Sequence, residues 1–216
     1  MSSLPENKKQ VVPIFTVGYG LRAPDEFITL LHQYKIQFLV DVRTSPFSKN
    51  NPSFSEGKIK EWLLTKKVRY LFLGDLLGGR PADASCYTEG RVDYNKYSQR
   101  DSYKKGITRL RNAFRQQLYV ALMCSESKPQ MCHRSKLIGS SLDELSIPVF
   151  HIDEKGDLKS QEQVIQLVID DQQQLFDSVY KDPVSYSRKK YSNGNSDIEP
   201  EQPRDTDDWG LRVQRG

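Results

Sequence analysis

The regular pattern begins at residues 14–17, a short apolar run that stops at Gly18 and reads as a buried strand. Pro24 then starts a different rhythm. Asp25 and Glu26 occupy the first turn, and Phe27, Leu30, Leu31 and Tyr34 recur at the spacing of one helical face. Residues 38–42 are a second apolar run. Ser55 stands where an N-cap belongs, ahead of Ile59, Trp62 and Leu63 as a buried helical face. Residues 69–73 alternate as a third strand and end at Gly74. Tyr103, Ile107, Leu110, Phe114 and Leu118 mark another helix, and residues 119–123 are the most apolar strand. A further helix is expected from about Cys132, and a fifth strand at 148–152. Ser160 with Gln163 is a capping-box signature that opens a last helix through Val164, Leu167, Val168 and Leu175.

Strands and helices alternate along most of this length. The pattern predicts an α/β fold: a mainly parallel five-stranded sheet with helices on both faces and right-handed crossovers, a Rossmann-like three-layer architecture. The α/β domain spans residues 13–180, after a flexible N-terminus at 1–12. Residues 181–216 lose the periodicity, are rich in Ser, Asn, Asp, Pro and Arg, and read as a disordered tail. Residues 74–100 read as a long polar loop, a length that is often functional inside a compact domain. Its Tyr87, Tyr94 and Tyr97 either take part in binding or cover the sheet edge.

A chain of 216 residues holds one domain with a proper core. No apolar run approaches the roughly 20 residues of a membrane-spanning helix. The polar stretch from Met1 to Gln10 lacks the apolar segment of a signal peptide, so a cytoplasmic protein is expected. Cys86, Cys124 and Cys132 are too few and too odd in number for a disulfide framework, and free thiols are expected. The net charge of +4 is concentrated before Asp177, where it reaches +5. That excess suits an anionic partner, although solubility alone accounts for it, and nucleic-acid domains are usually more basic.

The residues with chemical potential gather at strand ends. Gly18, Tyr19 and Gly20 follow the first strand, Asp41 and Arg43 end the second, and Gly78, Gly79 and Arg80 come shortly after the third. Cys124, Ser125 and Glu126 follow the fourth, and His151 and Asp153 end the fifth. In a parallel sheet these ends share one edge, outside which α/β proteins bind ligands. Gly18-Tyr19-Gly20 lacks the third glycine of a dinucleotide fingerprint and reads first as a tight turn. Asp41 and Arg43 share a strand face, as a buried salt bridge or as a carboxylate beside an anion clamp.

Cys124 and the run Cys132-His133-Arg134 allow three readings. The spacing Cys-x7-Cys-His is not a standard zinc pattern, so no metal is assigned. Cys132 as a nucleophile with His133 meets the objection that adjacent helical residues do not face each other. Cys124 as a small buried residue, with His133 and Arg134 contacting an anion, is the third.

Taken in order, Thr16-Val17-Gly18-Tyr19-Gly20, Val40-Asp41-Val42-Arg43 with Pro46, Leu77-Gly78-Gly79, and Cys124-Ser125-Glu126 with Cys132-His133-Arg134 resemble the domain-of-unknown-function 488 family, from about Thr16 to Asp153. The family commonly has His and Ser or Asn where this chain has Tyr19 and Gly20. The resemblance implies the fold and the site position and leaves the reaction open. Two functions follow as expectations. One is an enzyme acting on a phosphate-bearing or other anionic substrate, such as a nucleotide or nucleic acid. There Arg43, Arg80, His133 and Arg134 hold the anion, Asp41 or Glu126 acts as acid or base, and Cys132 acts as nucleophile. Gly18, Tyr19, Gly79 and Cys124 line the cleft. The other is a non-catalytic module that binds an anionic small molecule or nucleic acid, its bases stacking on the loop tyrosines. The cofactor is left open, and a metal-dependent thiol site ranks below both.

Overall fold

The computed structural model describes residues 11–175, 184–191 and Trp209. In chain order, β1 (Ile14–Gly18), α1 (Pro24–Gln33), β2 (Phe38–Asp41), α2 (Glu56–Thr65) and β3 (Arg69–Phe72) come first. Then follow α3 (Gly74–Leu77), β4 (Tyr87–Thr88), β5 (Arg91–Val92), α4 (Tyr94–Ser98), α5 (Asp101–Arg115) and β6 (Val120–Cys124). A π-helical stretch, Arg134–Gly139, runs into α6 (Ser140–Asp143), and β7 (Val149–Ile152), β8 (Leu158–Ser160) and α7 (Gln161–Leu175) complete the order.

The main sheet has six strands in the order β3-β2-β6-β1-β7-β8. The five expected strands are all parallel, and β8 adds an antiparallel edge beside β7. Three residues, one exposed and two half-buried, leave too little pattern for β8 to be seen in the sequence. Alternation along each strand divides the core in two. One cluster gathers Ile14, Phe38, Val40 and Leu122 with Tyr103, Ile107 and Leu110 of α5 and Leu142 of α6. The other gathers Phe15, Val17, Leu39 and Met123 with Phe27 and Leu31 of α1 and Ile59 and Leu63 of α2. Helices therefore cover both faces. Two such apolar layers, each buried side chain contributing about 1.5–3 kcal/mol, drive the fold.

Local signals act as physics requires. Ser160 and Gln163 form the reciprocal capping box, at 2.8 and 3.2 Å. Ser55 does precede α2, but its hydroxyl bonds the backbone of Ser48 rather than its own helix. The expected loop 74–100 is broken by α3, a two-stranded ribbon of β4 and β5, and α4, each too short to leave a period in the sequence.

The expected tail differs most. Residues 184–191 lie along the ribbon: Ser185 accepts from Tyr94 N–H, Ser187 N–H donates to Val92, and Tyr191 N–H donates to Gly90. The indole of Trp209 is buried edge-on against Phe38 with centroids 5.4 Å apart, and its carbonyl accepts from Arg69 at 2.7 Å. These residues pack as core and wall, not as tail. The other residues of the expected tail, and 1–10 of the expected flexible N-terminus, lie outside the described residues. Among the described residues no helix is long and apolar enough to cross a membrane.

Candidate functional site

At the carboxyl edge, β1 and β6 end side by side. Gly18 pairs with Cys124, and Tyr19 and Gly20 N–H donate to the carbonyls of Cys124 and Ser125, both at 3.1 Å. From there the chain leaves β1 for α1 on one face and β6 for the π-helical stretch on the other. This divergence opens a crevice where doubly wound sheets bind ligands. A Cβ at Gly18 would lie 1.8 Å from the Glu126 carbonyl oxygen, so only glycine permits this approach. Arg22, buried, ties the edge together through the carbonyls of Gly18 and Asp153.

The crevice is a cavity of about 400 Å³. Cys124, Cys132 and His133 all line it. Cys124 ends β6, and the short helical turn Pro129–Met131 returns the chain so that Cys132 arrives beside it. Cys132 is extended, at φ −121° and ψ 149°, and helical backbone starts only after it. The objection from helical geometry to a Cys132–His133 contact therefore does not apply. His133 Nδ1 lies 3.6 Å from Cys132 Sγ and 3.9 Å from Cys124 Sγ. His133 Nε2 donates to the Val42 carbonyl at 3.0 Å, which turns Nδ1 toward the sulfurs. A Cβ at Gly79 would lie 2.8 Å from that Nδ1, so glycine is what lets the imidazole sit there.

This cluster is polarised. A hydrogen bond from the Cys132 thiol, reinforced by His133, holds Cys124 well below the ordinary thiol range against burial. Burial, then the neighbouring Cys124 sulfur, pushes Cys132 well up. Burial pushes the His133 imidazole down, but Cys124 more than reverses it. Of the two sulfurs, Cys124 is the one held toward the thiolate and Cys132, the expected nucleophile, the one held toward the thiol.

Arg134 is wholly buried and does not line the cavity. Its Nη2 donates to the Ser127 carbonyl at 2.9 Å, while Nε and Nη1 find no hydrogen-bond partner among the described residues. Burial pushes its pKa down, and Cys132 and Cys124 pull it up. It is placed as a positive charge beneath the sulfurs, away from the mouth where it was expected to grip an anion.

Asp41 is likewise inaccessible. Arg43 Nε and Nη2 fork onto its carboxylate at 2.9 and 2.5 Å, and the Tyr70 hydroxyl donates to it at 2.7 Å. Burial pushes the Asp41 carboxyl up against the pull of Arg43 and Tyr70. Burial also pushes the Arg43 guanidinium down, but Asp41 more than reverses it, and the fork is that of an ion pair. Asp41, expected as an acid or base, does not line the cavity. Arg43 reaches the lining but spends donors on Asp41, Phe54, Pro46 and Tyr19. Tyr19, stacked on Phe54 at 4.4 Å, carries that contact.

Glu126 and Arg80 line the cavity as expected, with the Arg80 guanidinium 4.5 Å over the Tyr191 ring. Sequence reading missed the wall made by Ser187, Arg188, Lys189 and Tyr191, because it assigned that segment to the tail. The run of three basic residues from Arg188 to Lys190, flanked by Tyr186 and Tyr191, is the available signal.

Fold and site together define a mainly parallel α/β protein with a thiol–imidazole cleft at the carboxyl edge of its sheet. The family model described as Domain of unknown function DUF488 matches residues 23–139, more than half of the chain, and the protein belongs to that family. No curated protein and no solved structure matches it.

Proposed function

We propose that the protein is an enzyme acting on a phosphate-bearing or other anionic substrate of about nucleotide size. The observation that carries this reading is the layering of one cavity, with a basic and aromatic rim over a buried thiol–imidazole floor. Arg80, Arg188 and Lys189 supply positive charge at the mouth, and Tyr191 offers a ring face. A volume of about 400 Å³ fits a small ligand rather than a duplex. Glu126 is the acid–base group with access, taking the role expected of it or Asp41. A module that only held anions would need the rim and would have no use for the floor.

The test is a panel of nucleotides and phosphate esters, followed by calorimetry for binding and product analysis for turnover. Lys189→Ala should weaken binding and reduce its salt dependence. Cys124→Ser should leave binding intact and abolish turnover. Binding without turnover in the unaltered protein would favour the non-catalytic module, and no binding by any anion would remove both.

A further inference from the structure

We propose that Cys124, Cys132 and His133 form a three-ligand site for a zinc-class divalent ion, with the fourth coordination position open to the cleft. The ligand atoms all lie within 4.8 Å of one another. A tetrahedral centre with Zn–S about 2.3 Å and Zn–N about 2.0 Å has S···N edges of about 3.5 Å and S···S edges of about 3.8 Å. The observed S···N separations of 3.6 and 3.9 Å come close to those edges.

The hydrogen bonding argues in the same direction. With Nε2–H given to the Val42 carbonyl, the neutral imidazole presents one lone pair at Nδ1. Both sulfurs converge on that lone pair, at 3.6 and 3.9 Å. A metal ion satisfies all three donors at once. The bond to Val42 is also the outer contact that metal-binding histidines usually make. Arg134, two residues after Cys132, is buried with two guanidinium nitrogens that lack hydrogen-bond partners among the described residues, and its positive charge suits the thiolate form in which cysteine binds metal.

Two sulfurs and an imidazole select zinc and its soft neighbours over magnesium or calcium. The Cys-x7-Cys-His spacing departs from finger patterns because the ligands come from a strand end and from the far side of a helical turn. Three protein ligands facing a cavity are the arrangement of a catalytic rather than a structural zinc. The inference rests on the floor of the cleft and stands independently of the anionic substrate.

The full chain, purified under reducing conditions without chelator, should carry about one zinc per chain by mass spectrometry of metals. Cys124→Ser, Cys132→Ser and His133→Ala should each bring the content to background. Cys86→Ser, whose sulfur does not line the cleft, should leave it unchanged. Cobalt(II) added to metal-free wild type should give thiolate charge-transfer bands and the intense visible bands of tetrahedral coordination. This readout needs no variant to fold. Wild type with reduced thiols that carries no metal and gives no cobalt spectrum would overturn the proposal, and so would a Cys124–Cys132 disulfide in its place. Metal bound normally without any anion binding would remove the proposed substrate and leave the metal site standing.

Discussion

Acidification should destabilise this protein through one histidine in its interior. His151 is fully buried on β7, with its ring held at both ends at 2.7 Å, by Thr16 Oγ1 on Nδ1 and by Gln161 Oε1 on Nε2. The Gln161 amide nitrogen donates to the Ser135 carbonyl at 3.1 Å, so its oxygen must accept. Nε2 therefore carries the proton, and Nδ1 receives the Thr16 hydroxyl. Burial, then the Arg134 charge, lowers the His151 pKa from 6.5 to about 3. The folded state keeps this ring neutral in a range where the unfolded chain binds a proton. Stability is therefore full above about pH 6.5 and falls as the pH drops toward about 3. At about pH 5 the loss is about 1.5 units times about 1.4 kcal/mol, or about 2 kcal/mol. Urea unfolding of wild type and His151→Gln near neutrality and near pH 5 isolates this contribution, because acid effects from carboxylates are common to both. Wild type should lose about 2 kcal/mol more than the variant over that interval. The three histidines make NMR titration a direct check. A His151 ring that titrates near pH 6 in the folded protein would refute the reasoning.

Two further outcomes follow from buried contacts. Asp41→Ala strands the Arg43 guanidinium and the Tyr70 hydroxyl, and should cost about 3–5 kcal/mol in equilibrium unfolding; an unchanged midpoint would show that the pair is solvated. Trp209→Ala empties a pocket against Phe38 and should cost about 3–5 kcal/mol, whereas a dispensable tail would leave the melting temperature unchanged.

The five parallel strands were legible because each is a short apolar run bounded by glycine or polar residues, and parallel order follows from the alternation with helices. The carboxyl-edge placement of Gly18, Asp41, Cys124 and Ile152 followed from that order. Roles were harder to read than positions. Asp41 and Arg43 were rightly placed on one face, but alternation cannot say whether a carboxylate two residues from an arginine faces solvent or its neighbour. Arg134 looks like a ligand group in sequence because arginine is rarely buried; only the packing of the π-helical stretch puts it under the sulfurs. The adjacency of Cys132 and His133 was discounted on the assumption of a helix that begins two residues later than expected. Residues 184–191 escaped because they gain order from backbone pairing with β5 and its flanks, which leaves no hydrophobic period.

That wall separates two inheritances within one cleft. The sulfurs and the imidazole lie inside the region shared with the family, residues 23–139, whereas Arg188, Lys189 and Tyr191 lie beyond it. The wall is fastened largely through main-chain bonds to residues 90–94 and by Lys136 Nζ on the Tyr186 carbonyl at 2.7 Å. Main-chain fastening tolerates most side chains. Under the proposed function, substitutions at 188, 189 and 191 should alter what the cleft admits without disturbing the floor, and exchanging this eight-residue strap is the direct test of that separation.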